Sequence, residues 1–95
     1  MKHLVMVKWN ETVADKKALQ QEVYELWCRA LENKEIRKID MHVNLLNKPN
    51  RYDVMYVVEL EPQDMDVWAD CQPHQIWKTD YAKYVESKAI IDLDL

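Results

Sequence analysis

Not one glycine occurs in this chain of 95 residues. Any position that needs a positive φ must then use Asn or Asp, the residues that tolerate it best after Gly. Asn33, Asn47 and Asn50 stand where connections are expected. The same absence excludes Gly-rich phosphate loops and dinucleotide fingerprints, whose backbones must approach a ligand closely.

The hydrophobic pattern divides the chain into six elements. Residues 2–9 read as a strand with His3, Val5, Val7 and Trp9 on one face and Leu4, Met6 and Lys8 on the other. Residues 12–32 read as a helix: Thr12 with Asp15 forms a capping-box-like start, and Asn33 is the stop. Leu19, Val23, Leu26, Trp27, Ala30 and Leu31 make its apolar stripe. Residues 36–46 alternate, with Ile39, Met41, Val43 and Leu45 on one face. Asn47 to Asn50 form a turn, and residues 52–60 return as the second arm of an antiparallel hairpin. Pro62 suits the first turn of a second helix, whose buried face begins with Met65 and Trp68. Pro73 interrupts or restarts it, since proline lacks the amide and clashes with the preceding turn. His74, Trp77, Tyr81, Tyr84, Val85 and Lys88 then follow three- and four-residue steps. Residues 89–95 form the last strand, with Ala89, Ile91, Leu93 and Leu95 on one face.

The order β-α-β-β-α-β predicts an α+β, ferredoxin-like fold, with both helices on one face of a four-stranded antiparallel sheet. The other face is left uncovered. Leu4, Met6, Met55 and Val57 lie off the helix-side pattern, so two copies are expected to pack face to face as a homodimer. The 48% apolar content, with four Trp and five Tyr, exceeds what one two-layer domain needs and points the same way.

The length fits one domain, 1–95. Thirteen basic residues are scattered among seventeen acidic ones for a net charge of −4, without the basic patch of a nucleic-acid binder. Apolar runs such as Leu4 to Val7 are far too short to span a membrane, and the first residues enter a strand with no signal-peptide core. Cys28 and Cys71, widely spaced and without ligand spacing, read as reduced thiols of a cytoplasmic protein, in preference to a disulfide.

His74 is the leading candidate for chemistry. It shares a helix face with Trp77 and Tyr81, and a buried imidazole beside a carboxylate can titrate near neutrality and move protons. His3, on the first strand, is expected to meet it in a pocket between helix and sheet, walled by Tyr56, Trp68 and Tyr81. The competing reading makes each an inward histidine bonded to a backbone carbonyl. His42, beside Asp40 and Asn44, reads as solvated or dimer-facing. The three histidines follow no short ligand spacing, so neither a metal nor another cofactor is expected. Trp27, Trp68 and Trp77 read as core. A Cys71–His74 thiolate pair is the weaker idea, because Pro73 breaks the local geometry.

Three segments carry a family resemblance: the opening KHLVMVKW, the central WADCQPHQIW and the closing AIIDLDL. In order and spacing they resemble the stress-responsive A/B-barrel (Dabb) proteins across essentially the whole chain. The resemblance implies a ferredoxin-like protomer that dimerises into an α+β barrel. Most such proteins have no known activity; one plant member is a polyketide cyclase acting by intramolecular aldol condensation. Matched residue by residue, His3 falls on that enzyme's first-strand His and His74 on its helix His. Asp92 or Asp94 falls near its late Asp. Cys71, Trp68 and Val54 stand where the pattern has His, Tyr and His. The function this implies is binding of a small aromatic or polyketide-like molecule, contacted by Trp68, Tyr56, Trp77, Tyr81 and Asp92. His74 and His3 would supply acid–base chemistry of a cyclase, lyase or isomerase. A non-catalytic stress-associated ligand-binding dimer and a heme-linked monooxygenase-like relative are the alternatives.

Overall fold

The computed structural model describes all 95 residues. Its regular elements are β1 (Lys2–Trp9), α1 (Lys16–Cys28), β2 (Lys38–Val43), β3 (Val54–Glu59), α2 (Met65–Asp70), α3 (Gln72–Ile76) and β4 (Val85–Leu93). The strands form one antiparallel sheet in the order β2-β3-β1-β4. This is the expected ferredoxin-like arrangement.

Strand alternation sets the two faces. His3, Val5, Val7 and Trp9 are buried beneath the helices, as are Val54, Tyr56 and Val58 opposite them on β3. Leu4, Met6, Met55, Val57, Ala89 and Ile91 pair across the far side of the sheet. No helix covers that side, and Ile91 is 48% exposed there.

Helix α1 starts later than its apolar pattern suggests. Its N-cap is Asp15, whose carboxylate accepts the Ala18 amide at 3.0 Å. Thr12 instead donates to the side chain of Asn10 and stays outside the helix. After Cys28 the coil tightens into a 3-10 turn, Arg29–Glu32, which turns Leu31 outward to 41% exposure. Asn33 ends it as expected, its amide and side chain both donating to Ala30 O.

No residue has a positive φ, and Asn33 closes the helix at φ −84°, ψ 119°. The asparagines thus serve through their side chains. Asn44, for example, donates to Tyr52 O and accepts from Leu46 N to shape the β2–β3 loop. That loop, residues 44–53, is long enough to reverse without a left-handed residue, and it leaves Leu45 94% exposed beyond the strand.

The second helical region breaks at Cys71, whose ψ of 152° separates α2 from α3. A π turn, Trp77–Tyr81, and a 3-10 turn, Ala82–Tyr84, follow α3. Strand β4 begins at Val85, so Val85 and Lys88 belong to the sheet and not to the helix that their spacing suggests. Pairing with β1 decides this: Val85 opposes Trp9, and Lys88 opposes Val7. Glu86 is the extra residue of a bulge at the Lys8/Trp9 step.

The core is aromatic. Trp27 of α1 meets Tyr56 of β3, Trp68 of α2 and Trp77 at centroid distances of 4.8, 5.1 and 5.2 Å, all edge-on. Gln20 is buried beside this cluster: its Oε1 accepts from Trp9 Nε1 at 3.2 Å, and its backbone O accepts from the Tyr56 hydroxyl at 2.8 Å. Trp27 Nε1 has no partner.

Trp9 and Trp27 are equally buried, at 2% and 1% exposure, and differ in whether the indole N–H is bonded. Trp9→Phe strands the Gln20 oxygen, whereas Trp27→Phe removes an orphan. In urea unfolding Trp9→Phe is expected to cost about 1–3 kcal/mol more than Trp27→Phe. Equal losses would show that the Gln20 bond adds nothing to stability.

Candidate functional site

Proline 73 shapes the site. In an uninterrupted helix Ala69 O would accept from the amide four residues on, which here is the proline that has none. The freed carbonyl is taken by two side chains: His74 Nδ1 at 3.1 Å and Gln75 Nε2 at 2.8 Å. A carbonyl only accepts, so Nδ1 carries the proton and Nε2 is left with its lone pair. The imidazole also lies against Trp68, with ring centroids 5.1 Å apart. Burial pushes the His74 pKa below its ordinary value, and the charges of Lys78, Lys88 and His3 push it the same way. The bond to Ala69 O acts in the opposite direction without reversing the shift. His74 is therefore neutral at pH 7, with a bare nitrogen able to accept a proton.

His3 is 5% exposed on the helix-facing side of β1. Its Nδ1 lies 2.6 Å from Asp92 Oδ1, on the paired position of β4. A carboxylate that accepts from Nδ1 fixes the tautomer and the orientation of the ring. Of the two late aspartates, Asp92 is thus the one that faces the helix layer beside His3.

The aromatic candidates divide. Trp68 and Tyr56 are fully buried, and burial raises the Tyr56 pKa, so both rings fill the space between helix and sheet. Trp77 is a core residue with one edge on a cavity of about 400 Å³, shared with Lys78, Ala82, Val85 and Lys88. Tyr81 stacks on Trp77 at 6.1 Å, and burial raises its pKa, with Glu22 adding to the effect. None of the cavities is lined by His3 or His74. The cavity at Trp77 lies farther along β4, where Val85 and Lys88 oppose Trp9 and Val7, and Ile90, between it and Asp92, faces the helix layer yet is 53% exposed.

Cys71 donates its thiol to Trp68 O at 3.1 Å, and burial raises its pKa. It is a protonated thiol, not a nucleophilic partner of His74. His42 is exposed on the outer sheet face opposite Met55. No group of three or more His, Cys, Asp or Glu is placed to hold a metal ion, and no helix is long and apolar enough to cross a membrane. Lys78 is not singled out in the sequence, and Lys88 enters only as a step of a helical pattern; the four-residue step from His74 is the signal available for Lys78.

Neither a family model nor a curated relative matches this sequence. Solved structures do match. A dimeric ferredoxin-like protein of unknown function from Thermobifida fusca aligns with a TM-score of 0.79 at 18% identity, covering 99% of this chain and 89% of that one. A Dabb family protein with a ferredoxin-like fold from Mesorhizobium loti aligns at 0.71 and 14%, covering 99% and 95%. A hydroxynitrile lyase from Passiflora edulis aligns at 0.73 and 12%, covering 95% and 87%. The chain shares the ferredoxin-like fold of these structures.

The lowered His74 pKa has a consequence for stability. A group whose folded pKa lies below its unfolded value of about 6.5 binds fewer protons when folded. Its contribution is present above that value and is lost as pH falls through it toward the lowered folded pKa. Wild type should therefore lose more stability than His74→Gln between pH 7 and pH 5 in denaturant titrations. Parallel losses in the two proteins would contradict the half-buried, neutral imidazole.

Proposed function

We propose that this protein is a homodimer of Dabb type that binds a small organic molecule in the cleft between the π turn and β4, with His74, on the helical turn before it, as general base. The observation that carries the reading is the tautomer imposed by Ala69 O. It gives a neutral imidazole whose free Nε2 suits proton abstraction α to a carbonyl. The His3–Asp92 pair would orient a second imidazole on the sheet side, with Asp92 accepting from its Nδ1. Trp77 and Tyr81 would position a flat substrate. A lyase among the structural neighbours supports catalysis only as a possibility of the fold.

A second reading, binding without turnover, is favoured by the packing of Trp68 and Tyr56 into the space beside His74. Solvent-deuterium exchange into aryl β-diketones, followed by NMR, separates the two. Under the catalytic reading His74→Ala lowers the exchange rate by about 10²–10⁴. An unchanged rate sinks the base assignment. Binding in the wild type with no exchange above buffer selects the second reading.

The dimer would form through the outer sheet face of Leu4, Met6, Met55, Val57 and Ile91. Its apolar character and the dimeric state named for a structural neighbour support this. Ile91→Lys is expected to halve the sedimenting mass at micromolar concentration while the far-UV spectrum is kept. A wild type that sediments as a monomer would overturn the dimer.

A further inference from the structure

The cavity beside the π turn has an unusual charge environment. Its five lining residues are Trp77, Lys78, Ala82, Val85 and Lys88. Lys88 opposes Val7 of β1 and so projects from the helix side of the sheet. Lys78 stands on the opposite wall, one turn beyond His74. Neither ammonium has a carboxylate within 4.0 Å: the ion pairs of the molecule engage His3, Lys8, Lys16, Arg37 and Lys38. The two lysines therefore bring uncompensated positive charge to one concavity. Like charges so placed disfavour each other, and a shared anion relieves that repulsion.

The rest of the lining is apolar. The Trp77 ring gives a flat aromatic wall, and Ala82 and Val85 add aliphatic surface. A volume of about 400 Å³ lies within the usual range for small-molecule sites, about 300–1,000 Å³.

We infer that this cavity takes an organic anion, a carboxylate borne on a flat apolar body, with Lys78 and Lys88 holding the charge and Trp77 the ring. The inference rests on the cleft proposed above and names its ligand class. Lys78 places the bound anion one turn from His74. An anion there would offset the positive charge of Lys78 and Lys88, which adds to burial in lowering the His74 pKa, so occupancy should raise that pKa. Lys78, Lys88, His3 and Asp92 are the charged groups that face the imidazole's surroundings from the helix and the sheet.

The test uses 2-naphthoate, its neutral analogue 2-naphthamide, and inorganic phosphate, titrated into wild type, Lys78→Gln, Lys88→Gln and the control Lys17→Gln on α1. Naphthoate should bind wild type and Lys17→Gln alike. Each cavity variant should bind it about tenfold more weakly, the worth of one charge-assisted hydrogen bond. Naphthamide and phosphate should each bind at least tenfold more weakly than naphthoate. Naphthoate and naphthamide binding equally, indifferent to both cavity lysines, would overturn the anion site yet leave the cleft as a neutral-ligand site. Phosphate matching naphthoate would overturn the requirement for an apolar body. A wild type that binds none of the three, nor any β-diketone, would overturn this inference together with the cleft itself.

Discussion

The structure depends on the interlocking of Trp27 with Tyr56, Trp68 and Trp77. These four rings come from α1, β3, α2 and the π turn, so one indole joins both helical segments to the sheet. Edge-on aromatic contacts add about 0.5–1.5 kcal/mol each beyond the area they bury, a large increment for a domain of this size. The cluster also has a cost, because the Trp27 N–H finds no acceptor inside it. Its greater consequence is spatial. Bulky rings fill the layer between helices and sheet, so open space is displaced to the flank of β4.

Proline 73 controls that flank. By removing one amide it frees the Ala69 carbonyl, and the freed carbonyl orients His74. The break at Cys71 also lets α3 run in a new direction, and the π turn after it carries Trp77 inward while Lys78 stays at the surface. A helix without the break would have satisfied Ala69 O through its own backbone and left the imidazole tautomer unset.

Much of this was legible in the residues. Alternation in β1 placed His3, Val5, Val7 and Trp9 on the buried face, and the stripe of α1 was right as far as Ala30. It failed at Leu31 because a 3-10 turn changes the angular step. The onset of β4 was misread because Trp77, Tyr81, Tyr84, Val85 and Lys88 happen to follow helical spacing, and only the partner strand shows that Val85 belongs opposite Trp9. The asparagines were assigned left-handed turns that the structure never uses, since its connections are long enough to close otherwise. Gln20 carried a readable signal: a polar residue in step with Val23 and Trp27 on the apolar side of α1. Asp92 did not, because alternation separates it from Ile91 but only pairing to His3 chooses it over Asp94.

Strand β4 shows how one short element serves two surfaces. Successive side chains point to opposite faces. Lys88, Ile90 and Asp92 therefore look toward the helices and the cleft, while Ala89, Ile91 and Leu93 look toward the face assigned to a second copy. A slip of one residue would exchange the two sets, pointing Ile91 into the cleft and Asp92 into the apolar face. Two features oppose such a slip. The His3–Asp92 bond pins one end of the strand, and the bulge at Glu86 absorbs the odd residue at the other. The carboxylate that backs His3 is thus also a register lock, so its role in the site cannot be separated from its role in keeping the cleft and the apolar face apart.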